Sequence, residues 1–391
     1  MNMSGVLDGI RVLDMSRFIA GPYCGMCLAD MGAEVIKIEK AGDVGDSTRT
    51  LGPWKNGKSL YFPAYNRNKK SVTVNYRSEE GIRVLKDLIR NSDVLIENFR
   101  PGILQSMGLG YDELKQINPR IILVSVSGFG QEGPYKDRPA FDGIISTMAG
   151  MARSVNGSEP ITGNGAISDT MTAMNAFSGV LLALIDREHT GVGQHVDIAM
   201  LDTAVILQNT DIAGWAINRQ EPKFGADSAP YGVFRTKDGW VNINAARYTM
   251  FEKLQKLIGD PELCKEEYVK MPPRVRDREK ICAIIEKWTM QHTADEIEEI
   301  LAREEVPAAA VATPERILRN PHLKAIHQIV DVEVTGVGPV PYAGCPIHLS
   351  AHRDIPYERA PELGEHNDEV LGNVLGYSAE QIAELKDKKV I

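Results

Sequence analysis

The sequence predicts an α/β protein whose main domain is a doubly wound parallel sheet, because strand and helix patterns alternate along its first half. The apolar run Ile10–Met15 is typical of a buried strand, and Tyr23–Met31 is typical of a helix that ends at Gly32. A second strand, Glu34–Glu39, completes a strand–helix–strand unit, which joins parallel strands by a right-handed crossover. In sheets of this kind, ligands bind beyond the carboxyl ends of the strands.

The same alternation continues toward residue 200 and then changes in character. The further predicted elements are the strands Ser71–Val74, Asp93–Ile96, Ile121–Ser127 and Val196–Met200 and the helices Glu79–Arg90 and Tyr111–Gln116. A hairpin pattern over Tyr231–Asn244 and a capping box over Thr293–Glu296 predict a smaller α+β domain. We expect a large domain over residues 1–200, a linker over 201–224, the small domain over 225–321, and a segment over 322–391 that returns to complete the large domain.

The composition is that of a soluble globular protein, which we expect to be cytoplasmic. Of its 391 residues, 43% are hydrophobic and 25% are charged, and five cysteines are too few for a disulfide framework. The first residues lack the pattern of a secretory signal, and no run approaches the about 20 apolar residues that span a bilayer. The net charge of −9 argues against a nucleic-acid partner, although a local basic patch would still bind a small anion. We therefore expect neither a membrane nor a nucleic acid as a partner.

Several motifs of cofactor and nucleophile sites are absent. The first strand–helix turn carries no G-x-G-x-x-G, no Walker motif occurs, and Ser125–Phe129 departs from the G-x-S-x-G pattern. Cys24 and Cys27 form a C-x-x-C where a redox or metal-binding pair would lie, but the other three cysteines form no second pair. We expect no metal and no permanently bound cofactor, and a redox or metal protein remains an alternative.

The most informative stretch is Gly163–Ile185, in which Asp169 precedes a long apolar helix. From Met171 to Ile185 the helix is apolar on nearly every face, so we expect it to be buried on all sides. Burial raises the pKa of a carboxyl group, whereas the unpaired N–H groups of a helix N-terminus favour its anion. The pattern allows two roles for Asp169, namely a helix N-cap and a catalytic carboxylate.

Eight stretches of the chain, in one order, resemble the class III CoA-transferases, the family that includes formyl-CoA transferase, carnitine CoA-transferase and α-methylacyl-CoA racemase. The stretches are GIRVLDMSRFIAGP, GAEVIKIEK, NRNKKSVTVN, DVLIENFRPG, LVSVSGFGQEGPY, AISDTMTAM, REHTGVGQHVDIAM and LGEHNDEVLGNVLGYS. They are distributed from about Leu7 to the C-terminus, so the resemblance covers nearly the whole chain. Their shared order makes the resemblance specific.

This resemblance implies a fold and a reaction. The large domain would be Rossmann-like and built from both termini, and two chains would form a homodimer of interlocked rings. Asp169 matches the family's catalytic aspartate. CoA would pass from an acyl-CoA donor to a carboxylic acid acceptor through an aspartyl anhydride and an aspartyl-CoA thioester, so coenzyme A enters as part of the substrate. Backbone N–H groups near Asp169 would stabilise the thioester oxyanion.

The resemblance also implies contacts at matching positions. Asp142 matches an acidic residue of the transferases and is expected to support Asp169. The implied CoA-binding residues are Ile19, Ala20, Lys40, Val74, Asn75, Arg77, Asn98, Phe99, Met107 and Arg138. Because Ile19 replaces a glutamine of formyl-CoA transferase, and because that enzyme's tetraglycine loop is missing, we expect an acyl group other than those of the oxalate enzymes.

Other functions stay open at this point. In the racemase branch a histidine transfers a proton, but Phe141 occupies that position and a phenyl ring cannot do so. This favours intermolecular transfer, with an intramolecular CoA-transferring isomerase as a variant. A CoA-binding protein without turnover is a further alternative. The donor and the acceptor acid are not indicated by the sequence, and the acyl pocket would be lined by loops such as Asp227–Tyr231.

Overall fold

The computed structural model of the protein describes residues 5–152, 165–219, 228–352 and 354–391. Gly163 and Asp227, which were named above, lie outside these ranges. The chain forms two compact units, of which the larger comprises Met1–Thr210 with His322–Ile391 and the smaller Asp211–Pro321. Each unit is described by itself below.

The first part of the chain alternates between strands and helices. In order, its elements are β1 (Arg11–Asp14), α1 (Ala20–Asp30), β2 (Glu34–Lys40), β3 (Trp54–Lys55), β4 (Lys58–Ser59), α2 (Pro63–Asn66), β5 (Lys69–Val74), α3 (Glu79–Arg90), β6 (Val94–Glu97), α4 (Ile103–Ser106), α5 (Tyr111–Ile117), β7 (Ile122–Ser127), α6 (Asp142–Met148), α7 (Ile167–Thr190), β8 (His195–Ala199), α8 (Met200–Val205) and α9 (Asn209–Asn218). Helix α1 begins three residues earlier than predicted. Pro22 is compatible with this start, because the N–H groups of a first helical turn have no partner within the helix.

Six parallel strands form the central sheet of the large unit in the order β5-β2-β1-β6-β7-β8. Val12 of β1 pairs with Val35 on one side and with Val94 on the other. Along the chain, β2 and β5 are added on one side of β1, and β6, β7 and β8 are then added on its other side. This reversal leaves a crevice beyond the carboxyl ends of β1 and β6, where open α/β sheets bind their ligands.

Helices cover both faces of this sheet, because its strands carry apolar residues toward both sides. Val12 packs with residues of α1 and α7, including Leu28 and Val180. Leu13, the next residue of β1, packs into a second core with Leu85 of α3 and residues of the C-terminal helices. The alternation along a strand thus produces two cores, one on each face.

The remaining elements belong to the small unit and the return segment. They are β9 (Tyr231–Arg235), β10 (Trp240–Asn244), α10 (Tyr248–Ile258), α11 (Met271–Arg276), α12 (Arg278–Thr289), α13 (Ala294–Arg303), β11 (Ala308–Ala310), α14 (Pro314–Arg319), α15 (Pro321–Ala325), β12 (Ile329–Val334), β13 (Gly338–Ala343), α16 (Asn367–Leu375) and α17 (Ala379–Asp387). In the small unit, β9 to β11 form an antiparallel sheet in the order β11-β10-β9. The capping box predicted at Thr293 opens α13.

The return segment adds helices and the separate hairpin β12–β13 to the large unit, but no strand to the central sheet. We expected both termini to form the sheet, but all six strands of the sheet in the described chain come from residues before 200. The backbone N–H of Asn75 donates to the carbonyl of Val390 at 2.6 Å, and that of Thr73 donates to the Asn367 side chain at 2.8 Å. These contacts fix the C-terminal segment against the end of β5. Ser378 and Gln381 form a capping box at the start of α17, which favours a helix over a strand there.

Helix α7 is only partly buried, contrary to the prediction that it would be buried on all sides. One face packs on α1, β7 and β8, whereas Leu182 and Ile185 are 67% and 58% exposed. By length and composition alone α7 would also pass for a membrane span. Its packing against the central sheet accounts for an apolar helix of this kind without a bilayer.

Candidate active site

Buried ion pairs hold the turn between β1 and α1 beneath the crevice. The Lys69 ammonium lies 2.8 Å from the Asp14 carboxylate and also donates to the carbonyl of Pro22 at 2.7 Å. The Lys37 ammonium donates to the carbonyl of Ser16, whose hydroxyl hydrogen-bonds to Asp14. Burial alone would raise the pKa of Asp14, but the charges of Lys37 and Lys69 lower it to about 2. This carboxylate therefore stays ionised and fixes the turn.

The turn itself presents Arg17 and Phe18 to the crevice. Phe18 has a φ of 63°, a left-handed conformation that is strained for an aromatic residue. The side chain of Asn98 holds Arg17 from both sides, since it accepts from the Arg17 N–H at 2.8 Å and donates to the Arg17 carbonyl at 2.7 Å. The turn after β1 and the turn after β6 are thereby joined.

Asp169 lies in the first turn of α7, but it does not cap the helix. The N-cap is Ala166, and Asp169 is the third helical residue. Its backbone N–H donates to a carboxylate oxygen of Asp142 at 3.1 Å, so Asp142 supplies the capping acceptor from the start of α6. Ser146 and Ser168 join the same two helices through their hydroxyl groups, which are 2.9 Å apart. The side chain of Asp169 is not needed as a cap and faces the crevice.

The electrostatic setting of Asp169 is the opposite of that of Asp14. Burial raises the pKa of the Asp169 carboxyl to about 7, and the negative charge of Asp142 adds to this effect. No lysine or arginine in the described parts of the chain forms an ion pair with Asp169. A desolvated carboxylate without a cation is a stronger base, and hence a better nucleophile, than one in water.

A cavity of about 570 Å³ surrounds Asp169 at the carboxyl ends of the strands. It brings together seven of the residues expected at the site, namely Ile19, Ala20, Asn98, Phe99, Arg138, Asp142 and Asp169. Phe141 is 66% exposed at its wall and contacts Phe18 edge to face, with ring centroids 5.6 Å apart. The wall of this cavity as a whole is mainly apolar, which suits an acyl group.

A second cavity, of about 360 Å³, continues from the first. Arg17 and Phe99 line both cavities, and Lys40, Arg77 and Met107 line the second. The Arg17 guanidinium lies over the ring of Phe99, 5.8 Å from its centroid, and donates to the hydroxyl of Tyr76 at 2.8 Å. The two cavities thus form a path with cations along it and Asp169 at one end.

Two expected contacts and several unexpected ones change the predicted site. The side chains of Val74 and Asn75 line neither cavity, because Val74 is fully buried in the core and the side-chain oxygen of Asn75 accepts the backbone N–H of Arg77 at 3.3 Å. The lining also includes polar residues beyond the expected CoA contacts, namely Arg17, Tyr61, Ser127, Arg100 and Lys136 in the first cavity and Asp43 and Tyr76 in the second. Arg100 and Lys136 are basic residues of the kind that would bind a small anion. Arg17 lies three residues after the end of β1, so its place beyond the carboxyl end of a strand was the available signal for it.

The C-x-x-C pair does not support a redox or metal site. Cys24 and Cys27 are buried on α1, and burial raises the pKa of Cys27 to about 12 and that of Cys24 as well. Thiols are reactive and bind metals as thiolates, which these surroundings disfavour. Within the described ranges, no three His, Cys, Asp or Glu side chains cluster as a metal site.

Comparison with known proteins agrees with this geometry. Residues 7–367 match the model of CoA-transferase family III. The chain belongs to this family. It is 36% identical to succinyl-CoA–D-citramalate CoA-transferase of Chloroflexus aurantiacus, with 98% of both chains covered. It is 34% identical to a formyl-CoA:oxalate CoA-transferase of Rhodopseudomonas palustris, covering 98% of this chain and 97% of that one.

The fold of this family III CoA-transferase also has a solved counterpart. The crystal structure of a CAIB/BAIF family protein from Brucella suis superposes with a TM-score of 0.85 at 33% identity, covering 95% of this chain and all of that one. The parallel six-stranded sheet with its flanking helices is therefore a family fold, and acyl-CoA and carboxylate substrates fit this transferase.

Proposed function

We propose that this CoA-transferase moves CoA from an acyl-CoA to a carboxylic acid through covalent intermediates on Asp169. The observation that carries the proposal is the position of Asp169, whose carboxyl lines the cavity in the first turn of α7 and has no ion-pair partner in the described chain. A carboxylate in this setting suits nucleophilic attack on a thioester carbonyl.

The reaction divides into four displacements. An oxygen of the Asp169 carboxylate attacks the donor's carbonyl carbon, the C–S bond breaks, and an acyl-aspartyl anhydride and the CoA thiolate result. The thiolate attacks the aspartyl carbonyl, which releases the donor acid as a carboxylate and leaves an aspartyl-CoA thioester. The acceptor carboxylate then displaces CoA from Asp169 to form a second anhydride. The returning thiolate attacks the acceptor's carbonyl carbon and frees the Asp169 carboxylate.

The surrounding residues support these steps in different ways. Asp142 holds the N–H of Asp169 and, by its charge, keeps the carboxyl basic. Arg17, Lys40, Arg77 and Arg138 offer positive charge to the CoA phosphates along the two cavities, and Phe99 and Met107 pack beside them. Ile19 and Ala20 lie at the Asp169 end, where the acyl group would sit.

We also propose a homodimer with a Rossmann-like large domain in each chain. The strand order of the central sheet supports the second part, since it runs 3-2-1-4-5-6 in chain order. Leu182 and Ile185 of α7 and Ile206 after α8 are more than half exposed in the single chain. Apolar residues exposed on neighbouring helices of one unit are typical of a surface that a second copy covers.

The test is a search for the covalent adduct by intact mass spectrometry. The protein is incubated with succinyl-, acetyl-, butyryl- and a branched acyl-CoA, beside Asp169→Ala and Asp186→Ala, an exposed carboxylate of the same helix. We expect a hydroxylamine-sensitive gain of one CoA moiety in the wild type and in Asp186→Ala, but not in Asp169→Ala. Turnover should fall at least about 10³-fold in Asp169→Ala, because the nucleophile is lost.

Three results would contradict the proposal. An adduct that persists in Asp169→Ala would place the nucleophile elsewhere. Solvent deuterium entering the α-carbon of an acyl-CoA without an adduct would identify a racemase instead. CoA binding with neither event for any thioester would indicate a binding protein.

A further inference from the structure

A buried glutamate that takes no part in the proposed reaction, Glu97, hydrogen-bonds to a residue that lines both cavities. Glu97 is the last residue of β6 and is 4% exposed. One of its carboxylate oxygens accepts the backbone N–H of Phe99 at 2.7 Å. Phe99 lines both cavities. Asn98, which lies between Glu97 and Phe99 in the chain, accepts the backbone N–H of Arg17. The Glu97 carboxylate therefore closes the turn on which both contacts depend.

The neighbours of Glu97 come from the adjacent strands and from α5. Ser125 of β7 is its register partner and hydrogen-bonds to its carboxylate. The hydroxyl of Ser125 also lies 2.9 Å from Nε2 of His195 in β8, and His195 stacks on Tyr111 of α5 with centroids 5.7 Å apart. Asp197 of β8 is the register partner of Ser125. Among the described residues, no lysine or arginine forms an ion pair with Glu97.

These surroundings make the charge of Glu97 sensitive to pH near neutrality. Burial raises the pKa of Glu97, and the charge of Asp197 raises it further. The hydrogen bonds from Ser125 and from the Phe99 N–H lower the pKa, and the net result is a pKa of about 7. The N–H of Phe99 is held more strongly by a carboxylate than by a neutral carboxyl group. His195 is also half-buried, and burial lowers its pKa.

We propose that Glu97 is a positioning residue for CoA, which as a carboxylate fixes the Asn98–Phe99 turn and on protonation releases it, so that CoA affinity falls as the solution is acidified. The inference rests on the proposed function only in taking Phe99 and the neighbouring cavity lining as a CoA contact. Glu97 itself touches neither the thioester nor Asp169. It acts through the backbone of Phe99.

The experiment measures CoA affinity by isothermal titration calorimetry between pH 6 and pH 8. It uses Asp169→Asn as the parent, so that the titration of Asp169 and any turnover are removed. From pH 8 to pH 6, CoA affinity should fall in the parent by about three- to ten-fold more than it falls in the variant Glu97→Gln. In Glu97→Gln the amide oxygen still accepts from Phe99, and its amide group donates to Ser125, so the variant should fold and lose this dependence on pH.

The comparison of the two proteins and one further measurement separate positioning from a merely structural role. The 3′-phosphate of CoA also titrates near pH 6, but it does so equally in both proteins and cancels in the comparison. Difference infrared spectra of the parent should show a protonated carboxyl band that grows as the pH falls through about 7 and is missing in Glu97→Gln. Equal pH dependence of CoA affinity in the two proteins, or no such band, would overturn the proposal. Loss of all CoA binding in both would instead contradict the proposed function.

Discussion

Asp14 and Asp169 are two desolvated carboxylates of the same unit, and they differ in the charges beside them. Asp14 is fully buried, with the Lys69 ammonium 2.8 Å away and Lys37 close by, and its pKa falls to about 2. Asp169 lies near another carboxylate, Asp142, and its pKa rises to about 7. Burial acts in the same direction on both, so the sign of the net effect comes from the neighbours.

The difference shows how one crevice combines a rigid frame with a reactive group. The paired carboxylate, Asp14, fixes the turn that carries Ile19 and Ala20 into the cavity. The unpaired carboxylate, Asp169, keeps its basicity and faces the same cavity. A cation beside Asp169 would lower its pKa, and the loss of the cations beside Asp14 would raise the pKa of that carboxyl group.

The largest effect is expected from breaking the frame with Lys69→Met. The variant keeps most of the length of the side chain but leaves Asp14 without the ammonium group that hydrogen-bonds to it and removes the bond to Pro22. Loss of one partner of a buried ion pair destabilises a protein by about 3–5 kcal/mol. We expect a fall of this size in the free energy of unfolding, measured by urea denaturation followed by circular dichroism.

Lys70→Met is a matched control, since Lys70 is the next residue of the same strand. Its side chain is 32% exposed and pairs with Glu34 and Glu369, which are also partly exposed. Exposed pairs of this kind contribute about 0–1 kcal/mol. If Lys69→Met were no less stable than Lys70→Met, the turn would not depend on the buried pair.

The reactive side of the comparison predicts a gain in stability for Asp169→Asn. The folded-state pKa of about 7 lies above the ordinary value of 3.8, so the folded protein binds the extra proton between these values. The wild type therefore loses stability as the pH rises from about 4 through about 7, and the amide does not. We expect Asp169→Asn to be more stable by about 1–2 kcal/mol at pH 8, with little difference at pH 4.

The measurement is thermal unfolding of both proteins across this pH range. Glu188→Gln serves as a control on the same helix, because Glu188 is 73% exposed and faces Arg120 at 3.5 Å. It should change the unfolding temperature little at any pH. A stability difference for Asp169→Asn that does not grow with pH would show that Asp169 is already ionised in the folded protein.

Local patterns were sufficient to predict most elements of the fold. The helix predicted over Glu79–Arg90 is observed with the same bounds, because Ser78 caps it and one of its faces is apolar. The hairpin around Lys237–Gly239 and the capping box at Thr293 were also predicted correctly. Such features depend on residues within a few positions of one another, which a single sequence displays.

Features that depend on distant contacts were missed. The apolar pattern of α7 does not reveal which of its faces another element covers, so the exposure of Leu182 was not foreseen. The role of Glu97 depends on its bond to Phe99 and on Ser125, 28 positions along the chain. The support of Asp169 by Asp142 was expected only from the family resemblance, because their hydrogen bond joins two helices that no spacing rule connects.

The smallest effect is expected from Asp142→Asn, which removes the charge beside Asp169 but keeps an oxygen that accepts its N–H. Since a neighbouring negative charge raises the pKa of a carboxyl group, its removal should lower the pKa of Asp169 below about 7. Transfer requires the ionised form, so the rate should rise with pH and reach half its maximum at a lower pH in the variant. We expect the maximal rate to change less than about ten-fold, because a less basic carboxylate is a somewhat weaker nucleophile.

The measurement is the rate of CoA transfer by the wild type and by Asp142→Asn between pH 5 and pH 9. An unchanged pH profile in the variant would mean that Asp142 acts on Asp169 through the hydrogen bond alone.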